Sequence, residues 1–159
     1  MAAWIKSLGI TRASLLNAAR TAVATVISLL LAKLLKLPEF YWAPISTIVI
    51  LLSTINPLAG SWQRFVGTAV GAALGALIAI YFPVNWMVYC VGIFVCGILC
   101  AILRIQESYR IAAITLSIVL LITHGSAPWM VALHRFIEVS IGIAVALLIT
   151  TVWKVPQET

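Results

Sequence analysis

Residues 65–103 read FVGTAVGAALGALIAIYFPVNWMVYCVGIFVCGILCAIL, 39 residues without one Lys, Arg, Asp or Glu, bounded by Arg64 and Arg104. A transmembrane helix needs about 20 mostly apolar residues, so the stretch is too long for one crossing and suits two. Pro83-Val84-Asn85, near its middle, is a turn-forming triplet. The segment therefore predicts two apolar helices folded back on each other. Working outward, residues 40–63, 111–134 and 139–153 are also free of charge. Residues 20–37 form a further apolar stretch, with Arg20 at one end and Lys33 and Lys36 at the other. Long basic side chains at such ends reach toward headgroups.

The expected fold is all-α, a polytopic membrane protein with six transmembrane helices at about 19–37, 40–56, 64–82, 86–103, 108–124 and 131–153. Connections are expected at Leu37–Glu39, Asn56–Gln63, Pro83–Asn85, Arg104–Glu107 and His124–Trp129. Five of the six prolines lie in these connections or the tail. The sixth, Pro44, falls in the first turn of the second helix, where a missing N–H costs little. Residues 1–18, mixing Trp4, Ile5 and Leu8 with Lys6 and Arg12, read as an N-terminal interfacial segment. Residues 19–153 form the membrane domain and 154–159 the C-terminal tail. Trp42, Trp62, Trp86, Trp129 and Trp153 fall at or beside expected span ends, the pattern of an interfacial aromatic belt. With the N-terminus inside, seven basic residues face the cytoplasm and three (Lys33, Lys36, Arg135) face outward, so both termini are expected to be cytoplasmic.

Composition narrows the function. Hydrophobic types make up 64% and charged types 9%, against roughly 45–50% and 25% in a soluble domain. That excludes a soluble enzyme, a disordered tail and a nucleic-acid binder; the partner is the lipid bilayer. The four acids are all Glu and there is no Asp. No phosphate loop, HExxH or CxxC occurs. The residues compose no catalytic set, and neither a metal nor a cofactor is expected. Cys90, Cys96 and Cys100 on one apolar helix read as small buried hydrophobes.

The third and sixth helices echo each other at an offset of 71: Arg64-Phe65 with Gly71, and Arg135-Phe136 with Gly142. Tyr41–Thr47 and Tyr109–Thr115 echo more faintly. One reading is an inverted 3+3 repeat, which places a substrate site at the repeat interface; the other is the cheap resemblance of any two apolar helices. Gly67, Gly71 and Gly75 form a stripe against which another helix can pack closely, with Gly142 as its counterpart. An ionisable group at membrane depth faces a cavity or a partner. Arg64, Arg110 and Arg135 are therefore either headgroup anchors or anion ligands, since a guanidinium donates two parallel hydrogen bonds to a carboxylate. Arg20 reads as an anchor. Glu138, three residues after Arg135, is placed to pair with it or to carry a proton. Tyr41 and Trp42 are interface anchors or the stacking surface for an aromatic ligand.

Arg20-Thr21-Ala22, LPEFYWAPISTIVI (37–50), QRFVGTAVGAALGA (63–76), Ser108–Leu121 and HRFIEVSIGIAVALL (134–148) together resemble the fusaric acid resistance / aromatic acid exporter family. The likeness covers nearly the whole chain and extends distantly to plant aluminium-activated malate channels. It implies a bacterial inner-membrane exporter or channel for organic anions, aromatic carboxylates foremost. Arg64, Arg110 and Arg135 would face the anion, and Tyr41, Trp42 and Pro44 would form the shared segment. Longer members carry a cytosolic helical region and often a second membrane block. A single block is expected to work as a homodimer. The alternative is a non-transporting subunit that recruits a larger partner through its glycine stripe.

Overall fold

The computed structural model describes residues 12–53, 56–122 and 127–153. Six α-helices fill them: α1 Arg12–Leu34, α2 Trp42–Leu51, α3 Pro57–Tyr81, α4 Trp86–Ile102, α5 Tyr109–Ile122 and α6 Pro128–Val152. A 3₁₀ turn, Gln106–Ser108, precedes α5, and no strand occurs among the described residues. The all-helical expectation holds. By length and composition α1, α3 and α6 suffice to cross a membrane, while α2 and α4 are shorter apolar helices.

The boundaries correct the sequence reading in four places. The expected loop Asn56–Gln63 is instead the first two turns of α3. Asn56 caps that helix, its side chain accepting from the Leu58 N–H at 3.2 Å, and Pro57 takes the first helical position. A helix begins at its cap, whatever the hydropathy of the next turn. α6 likewise starts at Pro128, three residues early. α2 ends at Leu51, short of the expected Asn56, because Asn56-Pro57 open the following helix. With 10 residues, α2 is about 15 Å long, half of a hydrocarbon core of about 30 Å. Residues 12–18 of the N-terminal segment are continuous with α1; residues 1–11 and the tail 154–159 lie outside the described residues.

Two turns have the same construction. After α1, Lys36 adopts φ 52°, its N–H donating to the Lys33 carbonyl and that of Leu37 to Ala32. After α4, Arg104 adopts φ 56°, its N–H donating to Ala101 and that of Ile105 to Cys100. Both are Schellman caps with a basic residue in the left-handed position glycine usually takes.

Small residues line the closest helix contacts, and many large ones face out. α3 runs alongside α5. A Cβ on Gly67 would come within 2.7 Å of the Ser108 carbonyl, and one on Gly71 would overlap the Ala112 carbonyl. Gly75 lies over Val119. The glycine stripe thus has its partner within the chain. α6 lies against α2 in the same way: a Cβ on Gly142 would overlap the Ala43 carbonyl and stand 2.6 Å from Ser46 Cβ. Thr47 Oγ1 donates to the Gly142 carbonyl at 3.1 Å. Outside, Leu30, Trp86, Phe94 and Leu148 are well exposed, the arrangement of a bundle whose solvent is lipid.

Candidate functional site

α3 and α6 cross in the middle of the bundle. Phe65 and Phe136, each next to its arginine, meet with ring centroids 5.0 Å apart. Further along α3, Ala72 and Ala76 share a core cluster with Ala132, which precedes Phe136, so the two helices run in opposite senses. Both begin with proline and have 25 residues. From the Phe65–Phe136 contact to Tyr81, and equally to Val152, is about 24 Å along the helix. These two ends point to opposite sides. Phe65 and Phe136 are each the ninth residue of a 25-residue helix, so the contact lies about a third of the way along both. Arg64 and Arg135 flank that contact.

Around Arg135 the helix α6 meets the turn into α2. Arg135 is 3% exposed and Glu138 0% exposed. The Arg135 guanidinium carbon lies 3.3 Å from the centroid of the Trp42 ring, a desolvated cation–π contact. Trp42 Nε1 donates to Glu39 Oε2 at 2.9 Å, and the Glu39 backbone N–H donates to Glu138 Oε1 at 3.2 Å. Glu39 thus ties α2 to α6. The expected Arg135–Glu138 pair is not made directly: Arg135 lies on Trp42, and Glu138 Oε2 has no hydrogen-bond partner, nor has Arg135 Nε. Tyr41, exposed beside Trp42, packs its ring 5.5 Å from that of Trp42.

Around Arg64 the surroundings are more open. Arg64 is half-buried with its Nε unpaired, while Arg110, second residue of α5, is exposed. Both line a cavity of about 60 Å³ together with Gln63, Glu107, Gly60 and Ile111. Gln63 Nε2 donates to Glu107 Oε2 across its edge. Arg20, by contrast, donates to the Trp153 carbonyl at 3.4 Å. It caps the end of α6 and brings that end to the α1 side where the described chain begins.

The structure therefore brings Trp42, Arg135 and Glu138 together, and separately Arg64 and Arg110. Sequence reading missed Glu39, Gln63 and Glu107. A signal for two of them was present: Glu39 and Glu107 each stand two residues before a tyrosine, Tyr41 and Tyr109, at an offset of 68.

A family described as fusaric acid resistance protein-like matches residues 22–149. The chain belongs to that family. The matched span runs from the middle of α1 almost to the end of α6, so it contains both arginine clusters. Family membership, with the outward-facing apolar helices, makes the chain a membrane protein of transport, a transporter or exporter. No curated protein and no solved structure matches it.

Proposed function

We propose that the protein exports organic anions, aromatic carboxylates foremost, across a bacterial inner membrane. Arg64, Arg110 and Arg135 hold the anion, Tyr41 and Trp42 offer ring faces, and Glu138 carries the coupled proton. The observation behind this reading is the pair Arg64 and Arg135 beside the crossing of α3 and α6, each with a buried Nε that has no partner. A guanidinium stays charged. Within a bilayer such a charge costs up to about 2.5–3.5 kcal/mol on insertion scales. Held at the crossing of two helices with an unused donor, it suits a visiting carboxylate.

Several features support an inverted pair of three-helix units: equal lengths and proline starts of α3 and α6, Gly71 on α5 against Gly142 on α2, the matching turns at Lys36 and Arg104, and the contact of Phe65 with its own counterpart Phe136. In such folds, short helices in corresponding positions border the substrate site, and α2 and α5, of 10 and 14 residues, occupy those positions. The positive-inside count places both ends in the cytoplasm. The subunit alternative draws less support, since α5 already covers the glycine stripe through which a partner would bind.

The test is flux of benzoate, salicylate and aliphatic carboxylates into liposomes holding the purified chain, with and without a proton gradient. Aromatic carboxylate flux is expected, with a loss of about tenfold or more in Arg64→Ala and in Arg135→Ala at unchanged insertion. Normal flux in both variants would remove the arginine assignment. No flux from the parent chain, with a larger protein co-purifying, would transfer the case to the subunit reading.

A further inference from the structure

Two cavities meet at one hydrogen bond. The larger, about 590 Å³, opens between α3 and the α4–α5 connection and includes Ala59, Trp62, Arg104 and Gln106 in its lining. The smaller, about 60 Å³, holds Gly60, Arg64 and Arg110. The residues common to both linings are Gln63 and Glu107, the two partners of the hydrogen bond. Consecutive residues of α3 fall on opposite sides of it, Ala59 in the large cavity and Gly60 in the small one. The small cavity has room for about two waters and none for a ring. The large one has a volume typical of small-molecule sites.

We propose that Gln63 and Glu107 form a gate. The transported anion loads in the large cavity, near Arg104 and Trp62, and reaches Arg64 when the Gln63–Glu107 bond opens. This deepens the organic-anion reading and rests on it. The gate selects as well as closes. Glu107 is the one carboxylate in the lining of a cavity that holds two guanidinium groups. An arriving carboxylate competes with Glu107 for that positive field and favours release of the side chain toward the large cavity. A neutral or cationic solute offers no such exchange. The hydrogen bond joins residues 44 positions apart, on α3 and in the 3₁₀ turn before α5. Opening it requires a side-chain rotation at an exposed surface and leaves the glycine-packed contact of α3 with α5 in place.

The test uses thiol accessibility in nanodiscs, with Cys90, Cys96 and Cys100 replaced by Ala. Probes are Ala59→Cys and Gly60→Cys, one on each side of the gate. A Cβ at Gly60 meets only Ser53 Oγ, at 3.7 Å, so the probe fits. With a charged methanethiosulfonate reagent, Gly60→Cys is expected to react at least about tenfold more slowly than Ala59→Cys. Adding Gln63→Ala, which leaves the charge unchanged, should speed Gly60→Cys about tenfold and leave Ala59→Cys unaltered, as expected for loss of one hydrogen bond to a charged group. Glu107→Ala should act likewise, the double variant no more than either alone, and Glu107→Gln, which keeps an acceptor for Gln63, should stay slow. Equal rates at the two probes in the parent, or no acceleration by Gln63→Ala, would overturn the gate. The unchanged Ala59→Cys rate reports that each variant is folded. No solute is transported in this assay, so its failure and the failure of the liposome flux assay are separate results.

Discussion

Gly142→Ala is expected to destabilise the bundle and weaken the site, although alanine is the better helix former. The added Cβ would stand 2.6 Å from Ser46 Cβ and overlap the Ala43 carbonyl. Carbon atoms pack at about 3.5–4.0 Å, so α2 must retreat from α6 by about 1 Å. Overpacking of this kind costs about 1–3 kcal/mol. The same retreat stretches the Thr47 Oγ1 bond to the Gly142 carbonyl beyond its 3.1 Å, a loss of about 1 kcal/mol. Against this stands a helix-propensity gain of about 1 kcal/mol. The net is a loss of about 1–3 kcal/mol, or about 3–10 °C in Tm for a chain of this length. Gly60→Ala is the matched control. Its new Cβ meets only Ser53 Oγ at 3.7 Å, so the propensity gain is unopposed and Tm should rise by about 2–4 °C. Tryptophan fluorescence on heating in detergent reads both. Gly142→Ala should also lower flux, since the retreat of α2 carries Trp42 away from Arg135. A Gly142→Ala protein as stable as the parent, or the two glycines responding with the same sign, would refute the packing argument.

Trp42→Phe keeps a ring for Arg135 but removes the N–H that Glu39 accepts, so Tm and flux should fall part-way; Trp42→Leu removes both and should forfeit about 2 kcal/mol from the desolvated cation–π contact alone. Glu138→Gln retains an acceptor for the Glu39 N–H but no proton-binding carboxylate, so flux should persist and lose its response to a proton gradient in liposomes. The homodimer expectation is read by native mass spectrometry in detergent, as a species of twice 17.2 kDa; a monomer that transports at full rate would dismiss it.

Much of the candidate site could be read before any coordinates, and the parts that could not share one character. Arg64, Arg135 and Glu138 were visible because charge is rare in an apolar chain, and Trp42 because it falls beside an expected span end. Glu39, Gln63 and Glu107 were not, because ordinary polar residues gain meaning only from a partner. Glu39 reaches Glu138 across 99 positions and Gln63 reaches Glu107 across 44. The Arg135–Glu138 pair illustrates the converse. Spacing by three brought the two to one helix face, yet the indole of Trp42 took the place nearest the guanidinium.

The sequence by itself determined that the chain lives in lipid and crosses it as helices. Unpaired backbone groups are not tolerated in hydrocarbon, so an apolar run of that length has helix as its solution, and hydropathy is a property of contiguous residues. It also marked, through Asn56-Pro57 and Asn85, where α3 and α4 begin, although hydropathy alone misplaced the start of α3 by seven residues; the left-handed turns at Lys36 and Arg104 carry no such mark. Tertiary structure alone decided that the glycine stripe is filled by α5, that the two Arg-Phe pairs meet at the crossing of α3 and α6, and that one hydrogen bond stands between an open cavity and Arg64. Those are distances between segments, set by which small residues let two backbones touch, and no local pattern encodes them.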